Sequence, residues 1–439
     1  MVCTTQRAYA WPPSPRLPAV SVQLLHEYAV DVYSHTNHVG GPSDPPSLEP
    51  APGEGPRTPV SVGIEAPAGI ATDRPTGLPR SARGVSDDGS PRRVRVAIVG
   101  ATGYVGAELI RILARHPNVE LVGLQGRDRA NEPIEDTHRH LAGTGLTVDS
   151  DLPEADAVFL ALPHGTAAAR VPEIARDGTA VIDLGPDFRL RDPADYPRWY
   201  GFEHPHPELA TDATYGLPEL HRAELEALVD SPLAIVGAPG CYPTATLLAL
   251  APLARTGLIG DLVVDAKSGV SGAGREAKAE LMFGEVNESV KAYGIGGHRH
   301  VAEIEQELAA LGGDVAANPG AVGVDFLPHL IPMTRGILSA CHVRPTRQIS
   351  QAELDSMYAT AYADEPFVRV VSAPPTTKHV TGSNEARVHV RLDERTGRIL
   401  AIGVIDNLVK GAAGQGVQAF NLVHGLPETA GLDQLPLAP

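Results

Sequence analysis

Cys241 sits in the stretch APGCYPTA at residues 238–245, directly ahead of the apolar run TLLALAPL at 246–253, so the spacing predicts its sulfur where a Gly-rich turn enters a helix. The first amides of a helix lack internal partners and carry partial positive charge, which favours thiolate over thiol. A free cysteine with a pKa near 8.5 is about 3 % ionised at neutral pH, and lowering the pKa to about 7 raises that roughly fifteenfold. The competing reading of a lone cysteine is a buried apolar side chain. What sets Cys241 apart is a second group elsewhere in the chain. Gly297-His-Arg-His300 precedes VAEIE at 301–305, the start of another predicted helix. A histidine at a helix N-terminus has its cationic form disfavoured, so it stays neutral and able to exchange a proton near pH 7. His300 is therefore expected as general acid/base, with Glu303 one turn later to orient it and His298 as its rival. Metal binding is not expected, because no His-x-x-x-His pair shares a helical face and no second cysteine lies nearby.

Three further stretches are suited to holding anions. Gly100-Ala-Thr102-Gly103-Tyr104-Val105-Gly106 follows a β-branched strand at 94–99 and opens a helix expected over 107–116. Glycines so placed give a tight turn, close backbone approach to a pyrophosphate and free amides at a helix start. The second strand, 120–124, leads into Gln125-Gly126-Arg127-Asp128-Arg129 rather than into a lone acidic residue. Arg127 or Arg129 is placed to hold a 2′-phosphate, so NADP is expected over NAD, with Asp128 the contrary sign. KSGVSGAGR at 267–275 offers Ser271, Gly272 and a terminal cation, Arg275, suited to phosphate or to the nicotinamide amide. Arg189 and Arg335 are further candidates for substrate anions.

Those residues need a scaffold, and the pattern supplies one. After the first unit come strands at 157–162, 180–184 and 233–236 alternating with helices such as 167–176, which predicts a parallel sheet covered by helices. Beyond Cys241 the strands lengthen, at 261–267, 324–330, 336–344, 368–371, 385–392 and 399–405, with helices at 301–311 and 351–362. The expected fold is thus an α/β Rossmann dinucleotide-binding domain over 93–240 and an α+β catalytic and oligomerisation domain with a mixed sheet over 241–409. A C-terminal helical stretch over 410–430 packs back on the first domain.

Residues 1–92 hold 15 of the 40 prolines, nine acidic residues and no lysine. They are expected to be a disordered extension, or the product of a start codon placed too early, since Met1 is the only methionine before Met282. A net charge of −17 without any dense Lys/Arg stripe argues against nucleic acid as a partner. No apolar run approaches the ~20 residues of a membrane span. Three dispersed cysteines are too few for a disulfide framework, so the cytoplasm is the expected compartment.

Together these motifs match a family. From about residue 94 to 425 the chain resembles the N-acetyl-gamma-glutamyl-phosphate reductases, relatives of aspartate-semialdehyde dehydrogenase. The motifs are GATGYVGAEL from Gly100, LPHG from Leu162, DFRL from Asp187, YGLPEL from Tyr215 and PGCYPT from Pro239, then DAKSGVSGAGR from Asp265, GGHRH from Gly296, PHLIPMTRGI from Pro328 and IDNLVKGAAGQ from Ile405. The resemblance implies NADP-dependent reduction of an acyl phosphate through a Cys241 thioester in arginine biosynthesis, by a homo-oligomer, dimer or tetramer. It further implies that Pro163 and Asn407 join the glycine loops at the cofactor. An aminoadipate or aspartyl phosphate analogue is the alternative substrate, and a catalytically idle cofactor-binding regulator the alternative class. Ala238, Gly185-Pro186 and Ala302 depart from the usual Asn, Ser-Ala and Pro.

Overall fold

The computed structural model describes residues 93–127, 129–175, 178–312 and 323–438. The extension expected over 1–92, and Asp128, lie outside the described residues.

The first sheet has the strand order β2-β1-β3-β4-β6-β5 and is parallel throughout: β1 (Val94–Val99), β2 (Val119–Gln125), β3 (Ala157–Leu160), β4 (Ala180–Asp183), β5 (Thr214–Tyr215) and β6 (Ile235–Gly237). Every residue of β3 and β4 is buried, as expected of short β-branched runs covered on both faces. Because β1 lies between β2 and β3, successive crossovers leave it in opposite directions and open a crevice beyond its carboxyl end, the usual ligand position in such sheets. Gly100 follows β1 with φ +91°, and a Cβ there would lie 2.2 Å from the Ala161 carbonyl oxygen just past β3. No other residue type fits that approach.

Among the described residues, seven α-helices are nine residues or longer: α1 (Tyr104–Leu113), α2 (Thr166–Ile174), α3 (Pro218–Ala227), α4 (Cys241–Arg255), α5 (His300–Leu311), α6 (Gln351–Ala361) and α7 (Gly414–Val423). Helix α1 starts and stops three residues earlier than the apolar spacing predicts. Gly103 is its N-cap, so the glycine loop is already the first turn, and Pro117 excludes helical geometry at His116.

The second sheet runs β11-β12-β13-β10-β7-β9-β8, built from β7 (Ile259–Gly269), β8 (Lys291–Ala292), β9 (Val324–Ile331), β10 (Ile337–Pro345), β11 (Val368–Val370), β12 (Ala386–Asp393) and β13 (Arg398–Ile405). It is mixed, with β11–β12 and β7–β9 parallel and the other pairs antiparallel. Helix α4, buried from Tyr242 to Ala254, packs on β10, β13 and α5. It comes so close that a Cβ on Gly403 would stand 2.1 Å from the Ala245 carbonyl oxygen. After β13 the chain makes a π turn, Val409–Ala413, and enters α7, whose Val417, Phe420 and Val423 share a core with Ile98 and Phe159 of the first sheet and Leu109 of α1.

Candidate active site

A cavity of about 440 Å³ opens at the carboxyl end of β1, walled on one side by Gly100, Gly103, Tyr104, Val105 and Gly106, and on the other by Cys241 and His300. Pro163, Arg189, Ser271, Gly272, Arg275 and Asn407 also line it. The motifs are up to about 300 residues apart in sequence, and the starts of α1, α4 and α5, with the ends of strands that include β1 and β7, bring them together. A wider cavity of about 800 Å³ adjoins it and shares Tyr104, Ser271 and Arg275 with it.

Cys241 is the first residue of α4, with Gly240 as N-cap. Its thiol is half-buried. The expected thiolate is not what this environment favours. Burial pushes the thiol up to about 11, outweighing the Arg189 guanidinium and the amides of Tyr242 and Cys241 that point at the sulfur. Desolvation of a charge exceeds the modest gain from a helix start. Two glycines fit tightly around this corner. A Cβ on Gly411 would meet Cys241 Cβ at 2.8 Å, and one on Gly240 would meet His300 Nε2 at 2.4 Å.

His300 opens α5 and is neutral: burial, then His298 and Arg189, hold its pKa well below the ordinary value. The neighbouring ring of His298 accepts a hydrogen bond from the His300 amide at 3.2 Å, and burial followed by Arg299 pulls it down to about 4. His300 lines the cavity, whereas His298 stacks edge-on behind it against Tyr242 and Tyr293. Glu303 does not orient His300. His300 Nδ1 has no partner among the described residues, while the Glu303 carboxylate accepts from Arg189 at 3.1 Å, Tyr200 at 3.3 Å, Tyr215 at 3.0 Å and the Gly240 amide at 2.9 Å. A fully buried carboxylate requires such partners, and the result is that Glu303 anchors the turn carrying Cys241.

The arginines divide. Arg189 is buried and fully engaged, by Glu303, by the Ala238 carbonyl at 2.7 Å and by the Leu184 carbonyl at 2.9 Å. Burial opposes its charge, but Glu303 outweighs that and keeps it protonated. Arg335 is not offered to a substrate: it pairs with Glu108 on α1 and, at 3.5 Å, with Asp406 after β13, so it clasps the two sheets together. Arg275 is exposed on the rim of both cavities. Arg127 and Arg129 lie past the end of β2, outside both cavities, and Arg129 pairs with Glu132 at 2.9 Å. Local spacing did not single out Arg299 and His164, which touch each other on the cavity wall, although both stand inside quoted motifs.

The fit to a dinucleotide rests on the backbone. Gly100 and Gly106 leave space no side chain could share, since a Cβ on Gly106 would sit 2.3 Å from the Gly100 carbonyl oxygen, and the first residues of α1 line the cavity. Asn407 is held by the Gly336 amide at 2.7 Å and donates to Ser271 at 2.9 Å, which fixes the Ser271-Gly272 wall opposite.

Two-sheet architecture, glycine crevice and a thiol on its wall define an oxidoreductase of the semialdehyde dehydrogenase class. Family models agree: residues 95–228 match the semialdehyde dehydrogenase NAD binding domain, and 241–407 match the semialdehyde dehydrogenase dimerisation domain. The fold is also that of aspartate semialdehyde dehydrogenase II from Vibrio cholerae, with a TM-score of 0.56 at 20 % identity over 76 % of this chain and 98 % of that one. N-acetyl-gamma-glutamyl-phosphate reductase of Heliobacterium modesticaldum is 48 % identical over 362 residues, covering 79 % of this chain and all of the relative. The namesake from Dehalococcoides mccartyi is 44 % identical over 350 residues, again 79 % of this chain and all of that one. The chain belongs to the N-acetyl-gamma-glutamyl-phosphate reductase family.

Proposed function

We propose that this chain reduces N-acetyl-L-glutamyl 5-phosphate to N-acetyl-L-glutamate 5-semialdehyde and phosphate, with NADP as its redox partner, in the formation of arginine. The observation that carries the reading is the meeting of Cys241, His300 and the Gly100 loop in one cavity. Cys241 Sγ attacks the acyl carbon, and its proton passes to a neutral imidazole. His300 holds that place on the cavity wall, with His298 behind it as the alternative. The amides of Cys241 and Tyr242 at the start of α4 stabilise the oxyanion that forms, and phosphate leaves behind a thioester. A thioester accepts reduction more readily than a carboxylate, so one hard step becomes two easier ones. NADPH, when bound, supplies the hydride. Collapse to the aldehyde expels the sulfur, which regains a proton as product departs. Glu303 and Arg189 hold the Cys241 turn rigid throughout.

Gly100, Thr102, Gly103, Tyr104, Val105 and Gly106 would carry the pyrophosphate, Arg127 a 2′-phosphate, and Pro163, Ser271, Gly272 and Asn407 the nicotinamide end. Residues 93–240, completed by 410–430, serve as the cofactor lobe, and 241–409 as the catalytic and assembly lobe of a cytoplasmic dimer or tetramer. No helix among the described residues is long and apolar enough to cross a membrane. The test is NADPH oxidation by the purified chain with N-acetylglutamyl phosphate generated in situ. Turnover is expected, with aspartyl phosphate used roughly a hundredfold less efficiently. No oxidation with the acetylated substrate overturns the reading.

A further inference from the structure

The substrate named above, on which this inference rests, carries two oxyanions, a carboxylate and a phosphoryl group, so the cavity must present cations that are not already neutralised. Arg189 and Arg335 fail that requirement, because each is held by a carboxylate and Arg189 also by two carbonyls. Arg299 meets it. It lines the cavity beside Gly240, Cys241 and His300, and among the described residues it makes no ion pair. Among the described residues its one hydrogen-bond partner is the ring of His164, reached from a single terminal nitrogen. The guanidinium Nε and the other terminal nitrogen remain unengaged, and they form the planar edge that matches a carboxylate or phosphate bidentately.

His164 is an unusual brace. Burial, then Arg299 itself, pulls its pKa down to about 4, so the ring stays neutral and orients the guanidinium without cancelling its charge. Arg189 and Arg299 both line the cavity, and Arg189, whose own carboxylate is Glu303, disfavours the charge on Arg299. Arg299 therefore has no carboxylate of its own among the described residues before substrate enters. Burial of such a charge is costly unless a partner arrives. An oxyanion would supply the partner, and it would relieve the field of Arg299 that helps to hold His300 neutral.

We infer that Arg299, oriented by His164, is the guanidinium that seats a substrate oxyanion, with Arg189 confined to holding the Cys241 turn.

The reverse reaction separates the two sources of that oxyanion, because semialdehyde brings the carboxylate and inorganic phosphate comes independently. Wild type, Arg299→Lys, Arg299→Met and His164→Asn would be assayed for NADP reduction, with KM measured separately for semialdehyde, phosphate and NADP. For Arg299→Met we expect a rise of roughly 30-fold in KM for one or both anionic ligands, with the NADP constant unchanged. Arg299→Lys should recover part of the loss. His164→Asn, which acts through Arg299, should raise the same KM by a smaller factor and leave kcat nearly intact. A rise confined to phosphate assigns the phosphoryl seat, and a rise confined to semialdehyde assigns the carboxylate seat. KM values within threefold of wild type, a loss confined to kcat, or a parallel rise in the NADP constant overturns the inference. Inactive wild type in both directions would instead sink the reaction proposed above.

Discussion

Two buried polar centres meet back to back at the π turn Val409–Ala413, and they are built on opposite rules. On one side Lys410 and Glu219, both with no exposed surface, pair at 2.6 Å, and Gln418 and the Phe367 ring close the remaining directions around the ammonium. On the other side the next residue, Gly411, abuts Cys241, whose half-buried thiol, like the imidazoles of buried His300 and half-buried His298, has no opposite charge of its own. In the first centre every charge has its partner and the geometry is fixed. In the second, burial keeps the groups neutral and leaves hydrogen-bonding capacity open for a substrate. Groups that reject their charged forms in the free protein are poised to change protonation when a ligand brings the missing partner.

Replacing the reactive sulfur should give the largest effect. Cys241→Ser is expected to lower kcat by at least about 10⁴-fold while NADPH binding and the denaturant midpoint stay near wild type. A variant within tenfold of wild type in kcat would erase the distinction between the two centres. Lys410→Met should do the reverse, leaving Glu219 buried without a partner at a cost of about 3–5 kcal/mol in unfolding free energy. The double change Lys410→Met with Glu219→Leu should recover most of that loss, and failure to recover would assign Lys410 a role beyond its pair. His300→Asn is expected to reduce kcat by roughly 10²–10³-fold, as for loss of a general acid/base, with His298→Asn less harmful. The opposite ranking would move proton transfer to the ring behind.

The smallest effect concerns pH. A thiol raised to about 11 is protonated at pH 7, and its reactive form grows about tenfold with each unit toward that value. Iodoacetamide labelling of Cys241 in the free protein should therefore rise about a hundredfold between pH 7 and 9 without levelling. A plateau at or below pH 8 would show that the helix amides and Arg189 prevail over burial after all.

That last point marks where local sequence ceases to inform. The strand positions follow from β-branched runs bounded by glycine and proline, and the ends observed for β1, β7 and β10 fall within two residues of the expected ones. The glycine loop, Cys241 and His300 were likewise legible, because a strand, a Gly-rich turn and a helix in succession impose their geometry locally. The Cys241 environment was not, since desolvation comes from side chains remote in sequence. Glu303 illustrates the same limit: its spacing points at His300, yet its partners are Arg189, 114 residues away, and Gly240, 63 away. Arg335 looks like an anion holder in isolation and is claimed by Glu108, 227 residues distant. Arg299 stands out only once Arg189 and Arg335 are seen to be held by Glu303 and Glu108.

The most direct measurement is the mass of the protein quenched after exposure to N-acetylglutamyl phosphate in the absence of NADPH, followed by peptide mapping. One N-acetylglutamyl group on Cys241, lost when NADPH is added and absent from Cys241→Ser, is the predicted result. Full turnover with no acyl group on that sulfur under any quench would contradict the account.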